Sequence, residues 1–142
     1  MDQKSTIICM DVLSVLENTE VGKAYYLEPP AKVVEELLGE KAAFDYGIRV
    51  AEPCDFGHIR KCIETGTVSD IALFRNMVLL CFVNWRTFCN TSKHVRIATA
   101  KSLYDGADDL EELFLRQMRA KSIRFNIRQK GSGGACGACA IM

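Results

Sequence analysis

The residues with the most to offer chemically lie where a long apolar run ends, in the stretch "NWRTFCNTSKHV" from Asn84 to Val95. Cys89 and Asn90 are adjacent there, and a polar segment follows before helical periodicity returns. An asparagine amide both donates and accepts hydrogen bonds, whereas a thiol donates only weakly. The stretch therefore predicts a binding residue at a helix end and leaves open which of the two faces a ligand.

Patterns for catalysis and for metal binding are weak by comparison. The sequence has only two histidines, His58 and His94, and neither is near a cysteine in a recognisable nucleophile motif. Cys54, His58 and Cys62 recur four residues apart along one side of a helix, but without a partner pair this spacing is a poor zinc signal. We therefore expect neither an enzyme nor a bound metal or other cofactor.

The C-terminal sequence "GSGGACGACAIM" is rich in glycine and serine and predicts a flexible tail over residues 120–142. Its last four residues fit the C-a-a-X prenylation pattern, with Cys139 as the acceptor and Cys136 as a second acylation site. A basic run lies upstream, and one lipid together with a polybasic segment would attach a protein to a membrane. Membrane binding is expected only if Cys139 is prenylated.

Composition and charge predict one globular domain. Hydrophobic residues make up 49% and charged residues 25% of 142 positions, which suits a single compact core. All 18 acidic residues but only 13 of the 18 Lys and Arg residues lie in the first 118 positions, so this acidic body suits a cationic partner better than nucleic acid. The seven cysteines, an odd count without a signal peptide, predict reduced thiols in a cytosolic or nuclear protein.

Apolar periodicity predicts helices. "STIICMDVLSVLEN" has one broad apolar face with Ser5 or Thr6 as its cap, and Asp55 caps "FGHIRKCIET". Thr67 or Ser69 opens "DIALFRNMVLLCFVNWRTF", which is apolar almost all round and predicts a central helix buried on most sides. "KHVRIATAKSLYDGADDLEELFLRQMRA" forms the last helix. No alternating run predicts a strand, so the fold class is all-α.

The segment between the first two predicted helices is long and is interrupted by glycines and prolines. A loop of this length in a small domain is usually functional. Its middle, "AKVVEELLGEK", predicts a short helix closed at Gly39. The expected architecture is a four-helix bundle with one long loop between the first and second helices.

In this order of segments, particular residues resemble a bromodomain. "AYYLEPP" is similar to the family's shelf motif, and "DYGIRVAEPCDFGHIRKCIETG" resembles the pattern DYYxxIKxPMDLxTIRxKLExG from Asp45 to Gly66. "FRNMVLLCFVNWRTF" and its polar exit resemble the third helix, so the resemblance covers residues 5–119. A longer linker before Tyr46, Gly47 for the second tyrosine and Cys54 for the usual methionine mark a divergent member, as does a proline where a valine is expected.

The resemblance implies a left-handed bundle that binds acetyl-lysine in a pocket between two interhelical loops. An apolar slot rejects free lysine because desolvating an unpaired charge is costly, whereas a neutral acetyl amide is accepted if its carbonyl is hydrogen-bonded. An asparagine amide supplies one donor, and a tyrosine hydroxyl acts through an ordered water. One such hydrogen bond contributes only about 0.5–1.5 kcal/mol, so modest affinity is expected.

Carried onto this sequence, the resemblance makes Tyr46 the water-binding tyrosine. Counted without a gap, the family's asparagine position falls on Cys89, and a one-residue shift at the helix end would turn Asn90 inward instead. Whether Asn90 binds the acetyl group or Cys89 lines a degenerate pocket stays open. The other residues implied in the site are Tyr26, Leu27 and Pro29 of the shelf, the gatekeeper Val95, and Phe88.

The leading hypothesis is a non-enzymatic, monomeric reader of acetylated lysine on a histone or another basic chromatin protein. It would act in the nucleus, alongside subunits of a chromatin complex and without sequence-specific contact to nucleic acid. The rival hypothesis is a helical adaptor that keeps the bundle, has lost the pocket and is anchored to a membrane through Cys139.

Overall fold

The structure, a computed structural model, describes residues 1–125, and seven α-helices make up most of that part of the chain. They are α1 (Gln3–Glu17), α2 (Glu20–Tyr25), α3 (Pro30–Leu38), α4 (Glu40–Arg49), α5 (Phe56–Glu64), α6 (Ile71–Thr91) and α7 (Ile97–Phe125). No strand occurs among the described residues, so the predicted all-α class is confirmed. The last helix passes the predicted end of the bundle at residue 119.

The bundle is formed by α1, α5, α6 and α7, which pack against one another around a single apolar core. The predicted long loop between α1 and α5 is largely helical, because α2, α3 and α4 occupy most of it. The predicted short helix is confirmed as α3, and Gly39 ends it with a φ of 98°, a conformation that favours glycine. α3 and α4 then pack on each other, and α4 lies against α6.

Helix starts follow aspartates more closely than predicted. Asp55 caps α5 as expected, and its Oδ1 accepts a hydrogen bond from the His58 backbone N–H at 2.8 Å. The prediction of Ser5 or Thr6 as the cap of α1 was wrong, since Asp2 accepts from the Ser5 N–H at 2.7 Å. A carboxylate satisfies a free N–H and also interacts favourably with the positive end of the helix dipole.

The cap of the central helix α6 also differs from the prediction. Asp70 caps it, with its Oδ1 accepting from the Leu73 N–H at 2.8 Å, so Thr67 and Ser69 are not its caps. The buried face of α6 carries four aromatic rings of the core, and Val83 on the opposite face is 50% exposed. The helix is therefore central, with one face open to solvent.

Close packing explains the glycine in the middle of α7. A Cβ atom on Gly106 would lie 2.9 Å from Cγ1 of Val21, so the absence of a side chain lets α7 approach α2. This contact gives a structural reason for a residue that lowers helix stability by about 1 kcal/mol relative to alanine. None of the helices in residues 1–125 has the length and apolar composition needed to cross a membrane.

Candidate functional site

Two buried tyrosines mark the candidate site. Tyr26 directly follows α2, and Tyr46 projects from α4; their exposed fractions are 2% and 0%. Their ring centroids lie 6.2 Å and 5.7 Å from that of Trp85 on α6. The segment before α5 thus contributes two aromatic side chains that meet on one turn of the central helix.

Further rings surround this pair and give it apolar walls. Tyr26 stacks on Phe56 at a centroid distance of 5.0 Å, and Tyr46 meets Phe88 edge-to-face at 5.1 Å. Phe88, predicted as a pocket residue, is fully buried. The rings are close-packed, and Trp85 occupies the space between the two tyrosines. We call Tyr26, Tyr46, Phe56, Phe82, Trp85 and Phe88 the aromatic cluster.

The cluster encloses two polar atoms. The hydroxyls of Tyr26 and Tyr46 are both buried, and neither has a hydrogen-bond partner among the described residues. Burial raises the pKa of each well above its usual value, so both hydroxyls stay neutral and keep their protons. Buried hydroxyls are normally hydrogen-bonded, so two unpaired ones in an apolar setting suit a neutral polar ligand or bridging water.

The segment after Tyr26 is fixed by backbone contacts to α5. The Tyr26 carbonyl accepts from the Phe56 N–H at 2.8 Å, and a Cβ on Gly57 would lie 2.7 Å from the Leu27 carbonyl oxygen. The side chains of Leu27 and Pro29 are exposed beside this anchor. Both predicted shelf residues therefore lie at the surface next to a buried tyrosine.

Asn84 is a positioning residue that sequence reasoning missed. It is 6% exposed, and its Nδ2 donates to the Glu52 carbonyl at 2.8 Å, which ties the α4–α5 connection to α6. A buried amide requires a partner, so an asparagine inside the apolar run of α6 was the available signal. This hydrogen bond positions the segment on which Cys54 and Asp55 lie.

The end of α6 determines which of Cys89 and Asn90 turns toward the core. The helix continues to Thr91 without a break, and the backbone N–H of Ser92 donates to the Phe88 carbonyl at 2.9 Å. In this register Cys89 is half-buried and packs against the core, whereas Asn90 is exposed. The structure does not show the one-residue shift that would turn Asn90 inward. Burial raises the pKa of Cys89 to about 11, so it is a neutral thiol.

Ser92 joins the two segments that border the tyrosines. Its hydroxyl donates to Oδ2 of Asp45, the residue before Tyr46, at 2.6 Å, and accepts from the His94 N–H at 3.1 Å. This hydrogen bond holds the pKa of Asp45 below its usual value, with a smaller contribution from Arg49. Val95, the predicted gatekeeper, is half-buried against the core. The connection between α6 and α7 is thereby held against α4.

Comparison with known families identifies the family of this chain. The family model described as Bromodomain matches residues 22–102, which is more than half of the chain. The chain belongs to the bromodomain family. Bromodomains are acetyl-lysine reader modules and not enzymes. No curated protein matches the chain.

The match spans every predicted site residue of this bromodomain that lies in the described chain. Tyr26, Tyr46, Phe88 and Cys89 come together around Trp85 or against the core beside it, and Leu27, Pro29, Asn90 and Val95 lie nearer the surface. A separate depression of about 470 Å³ is lined by residues outside that set: Glu40, Lys41, Phe44, Asp45 and His94.

The remaining predictions concern cysteines. Sγ of Cys62 lies 3.5 Å from Nε2 of His58, but Cys54 precedes α5 and does not complete a metal-binding triad with them among the described residues. Within residues 1–125 no group of three or more His, Cys, Asp or Glu side chains is arranged to hold a metal ion. The predicted lipid acceptor Cys139 lies outside the described residues.

Proposed function

We propose that this bromodomain recognises acetylated lysine on a histone or another basic, chromatin-associated protein in the nucleus, without catalysing a reaction. One observation carries the proposal. Two neutral tyrosine hydroxyls, those of Tyr26 and Tyr46, are buried among aromatic rings with no protein partner in the described chain. They belong to the part of the sequence that resembles the family's acetyl-lysine site, and Tyr46 takes the place of its water-binding tyrosine.

The physical basis is discrimination by charge. The walls around the hydroxyls are apolar, and placing a lysine ammonium there without a counter-ion would cost several kcal/mol. Acetylation removes that charge and leaves a carbonyl acceptor, which a hydroxyl satisfies directly or through water. The site therefore favours the acetylated side chain over the free one.

The residue at the family's asparagine position changes the expected strength. Cys89 is half-buried there, and a thiol donates only weakly. Losing a neutral amide hydrogen bond costs about 0.5–1.5 kcal/mol, so this bromodomain should bind acetyl-lysine more weakly than one with an amide in that place. Binding then depends on the tyrosine hydroxyls and on contacts outside the slot.

Charge supplies such contacts. The first 118 residues hold 18 acidic side chains against 13 basic ones, so this part of the chain attracts a peptide rich in Lys and Arg. The attraction strengthens encounter with a histone-like tail and weakens as salt screens it. We accordingly propose a basic protein tail as the partner, bound by a monomer.

An acetylated histone-peptide array, with unmodified peptides as controls, tests the proposal. The best peptide is then titrated calorimetrically into wild type and into Tyr46→Phe. We expect Tyr46→Phe to weaken binding by about 0.5–1.5 kcal/mol because a bridging water loses one anchor. Its melting temperature should not fall, since the lost hydroxyl has no protein partner in the described chain. Equal binding of acetylated and unmodified peptides would reject the reader function.

A second candidate function is supported by the packing itself. Trp85 is 1% exposed and contacts Tyr25, Tyr26, Tyr46 and Phe88, so its ring occupies much of the space between the interhelical segments. A bundle closed in this way would serve as a helical adaptor that binds no acetyl-lysine. Its proposed lipid anchor at Cys139 stays a prediction from the sequence, to be checked by a prenylation assay on the full chain.

A further inference from the structure

Two buried cysteines lie in the same core as the tyrosines and have no role in the proposed reader function. Cys54 is in the connection between α4 and α5, and Cys81 is in the middle of α6; their exposed fractions are 6% and 1%. They are far apart in the sequence and belong to the same core. Both are free thiols.

Contacts on either side of Cys54 fix its position along α6. Two residues before it, the Glu52 carbonyl accepts from Nδ2 of Asn84, and two residues after it, the Phe56 ring meets Phe82 at 6.5 Å. The connection thus runs along one face of α6, and Cys54 lies between these two anchors. Cys81 is one helical turn before Asn84, so it faces the same segment.

These anchors bring the two thiols together from facing segments, and the Cys81 thiol itself donates to the Met77 carbonyl at 3.4 Å. The interaction with Cys81 lowers the pKa of Cys54, whereas burial raises the pKa of Cys81 well above its usual value. The pair is also asymmetric in access, since Cys54 is the more exposed of the two thiols. Cys54 is the better nucleophile because the thiolate is the reactive form, and Cys81 is placed to resolve what Cys54 forms.

We propose that Cys54 and Cys81 are a reversible redox pair, which a hydroperoxide converts into an intramolecular disulfide that ties the α4–α5 connection to α6. The proposal rests on the juxtaposition of the two thiols and on the anchors at Glu52 and Phe56. Disulfides of intracellular proteins are usually of this transient, redox-sensing kind.

The chemistry balances with the hydroperoxide as the oxidant. The Cys54 thiolate attacks one peroxide oxygen, the O–O bond breaks, and the leaving oxygen takes a proton to become water or an alcohol. The sulfenic acid on Cys54 is then attacked by the Cys81 sulfur, the S–O bond breaks, and water leaves with the Cys81 proton. Two thiols have lost two electrons and two protons, and the peroxide has gained them.

Access is provided by the irregular backbone before α5. Residues 50–55 form no helix, and Cys54 is the more exposed of the two thiols. Segments without regular structure open locally at lower free energy than the helices around them. A small peroxide therefore reaches Cys54 first, which agrees with its role as the attacking thiol.

The disulfide would also act on the tyrosine site. Tyr46 belongs to the same core as both thiols, and burial and then the Cys81 and Cys54 thiols raise the pKa of its hydroxyl. Linking the sulfurs removes two weak donors from that core and fixes the connection between α4 and α5. A redox effect on acetyl-peptide binding follows, and this consequence alone rests on the proposed function.

Peptide mapping of the full chain tests the pair directly. The protein is treated with hydrogen peroxide, its remaining thiols are alkylated in denaturant, and trypsin places Cys54 in residues 50–60 and Cys81 in residues 76–86. We expect these two peptides joined, lighter than their sum by two hydrogen atoms, and separated again by dithiothreitol. Cys54→Ser and Cys81→Ser should abolish the species, and Cys62→Ser, whose cysteine lies in residues 62–75, should keep it.

Wild-type mapping decides the matter even if a serine variant folds poorly. Both cysteines alkylated after peroxide, Cys54 over-oxidised without a link, or Cys54 joined to another cysteine would overturn the redox pair. Titration of an acetylated peptide into reduced and oxidised protein is a separate arm. A linked pair with unchanged affinity rejects the effect on binding only, and absence of any acetyl-peptide binding rejects the proposed function while the mapped disulfide stands.

Discussion

The two walls of the candidate site differ in what holds them. Residues 45–66, which resemble the family pattern, contain Tyr46 in the aromatic cluster and Asp55 as the cap of α5. The exit of α6 departs from that pattern at Cys89, and the adjacent Asn90 is exposed. The first wall supplies a core ring and a helix cap, whereas the second ends in a half-buried residue that we propose contacts a ligand.

This difference separates fold from binding. A residue that caps a helix or fills the core is constrained by stability, so its type can be read from physical rules. A half-buried position at a helix end tolerates a thiol or an amide at little cost to folding. The first wall therefore carries the residues whose types follow from folding, and we propose that the second wall adjusts the strength of acetyl-lysine binding.

The largest expected effect is a loss of stability when the ring that contacts both Tyr26 and Tyr46 is removed. Trp85→Ala should lower the free energy of unfolding by about 3–5 kcal/mol, because it leaves a cavity among the aromatic rings. Urea denaturation followed by circular dichroism measures it. Val83→Ala, at a half-exposed position on the same helix, is the matched control and should change stability by no more than about 0.5 kcal/mol. Equal effects would mean that the cluster is not the core described above.

A smaller effect is expected where the first wall is tied to α6. Asn84→Ala removes the donor to the Glu52 carbonyl, and loss of a partner in a buried hydrogen bond costs about 1–3 kcal/mol. Hydrogen exchange should also show faster opening of residues 50–55. Asn76→Ala, an exposed asparagine on the same helix, serves as the control. Unchanged exchange in Asn84→Ala would show that the connection is held by other contacts.

Sequence reasoning recovered the features that depend on local rules. The cap at Asp55, the end of α3 at Gly39 and the all-α class follow from propensity and periodicity. It missed aspartate caps at Asp2 and Asp70, since several polar residues near each start compete for the same role. It also treated most of the segment before α5 as a loop, because short helices with glycine and proline at their ends have weak periodicity.

The site was only partly predictable, because its geometry is tertiary. Tyr26, Tyr46 and Phe88 were predicted in the pocket, but the sequence did not show that their rings would meet around Trp85. Asn84 bonds a carbonyl more than thirty positions away, and no local pattern encodes such a partner. The register at Cys89 required the observed continuity of α6 to Thr91.

The smallest expected effect concerns Cys89, the half-buried residue of the second wall. Cys89→Asn places an amide where α6 turns a half-buried side chain toward the core, and it should strengthen acetyl-peptide binding by about 0.5–1.5 kcal/mol, up to roughly tenfold. Cys89→Ala should change little, since a thiol donates weakly. Asn90→Ala should leave both affinity and melting temperature unchanged, because its side chain is exposed. Calorimetric titration of one acetylated peptide into the three variants measures these differences. If Asn90→Ala weakens binding and Cys89→Asn does not strengthen it, then α6 shifts by one residue on binding and Asn90 is the residue that meets the acetyl group.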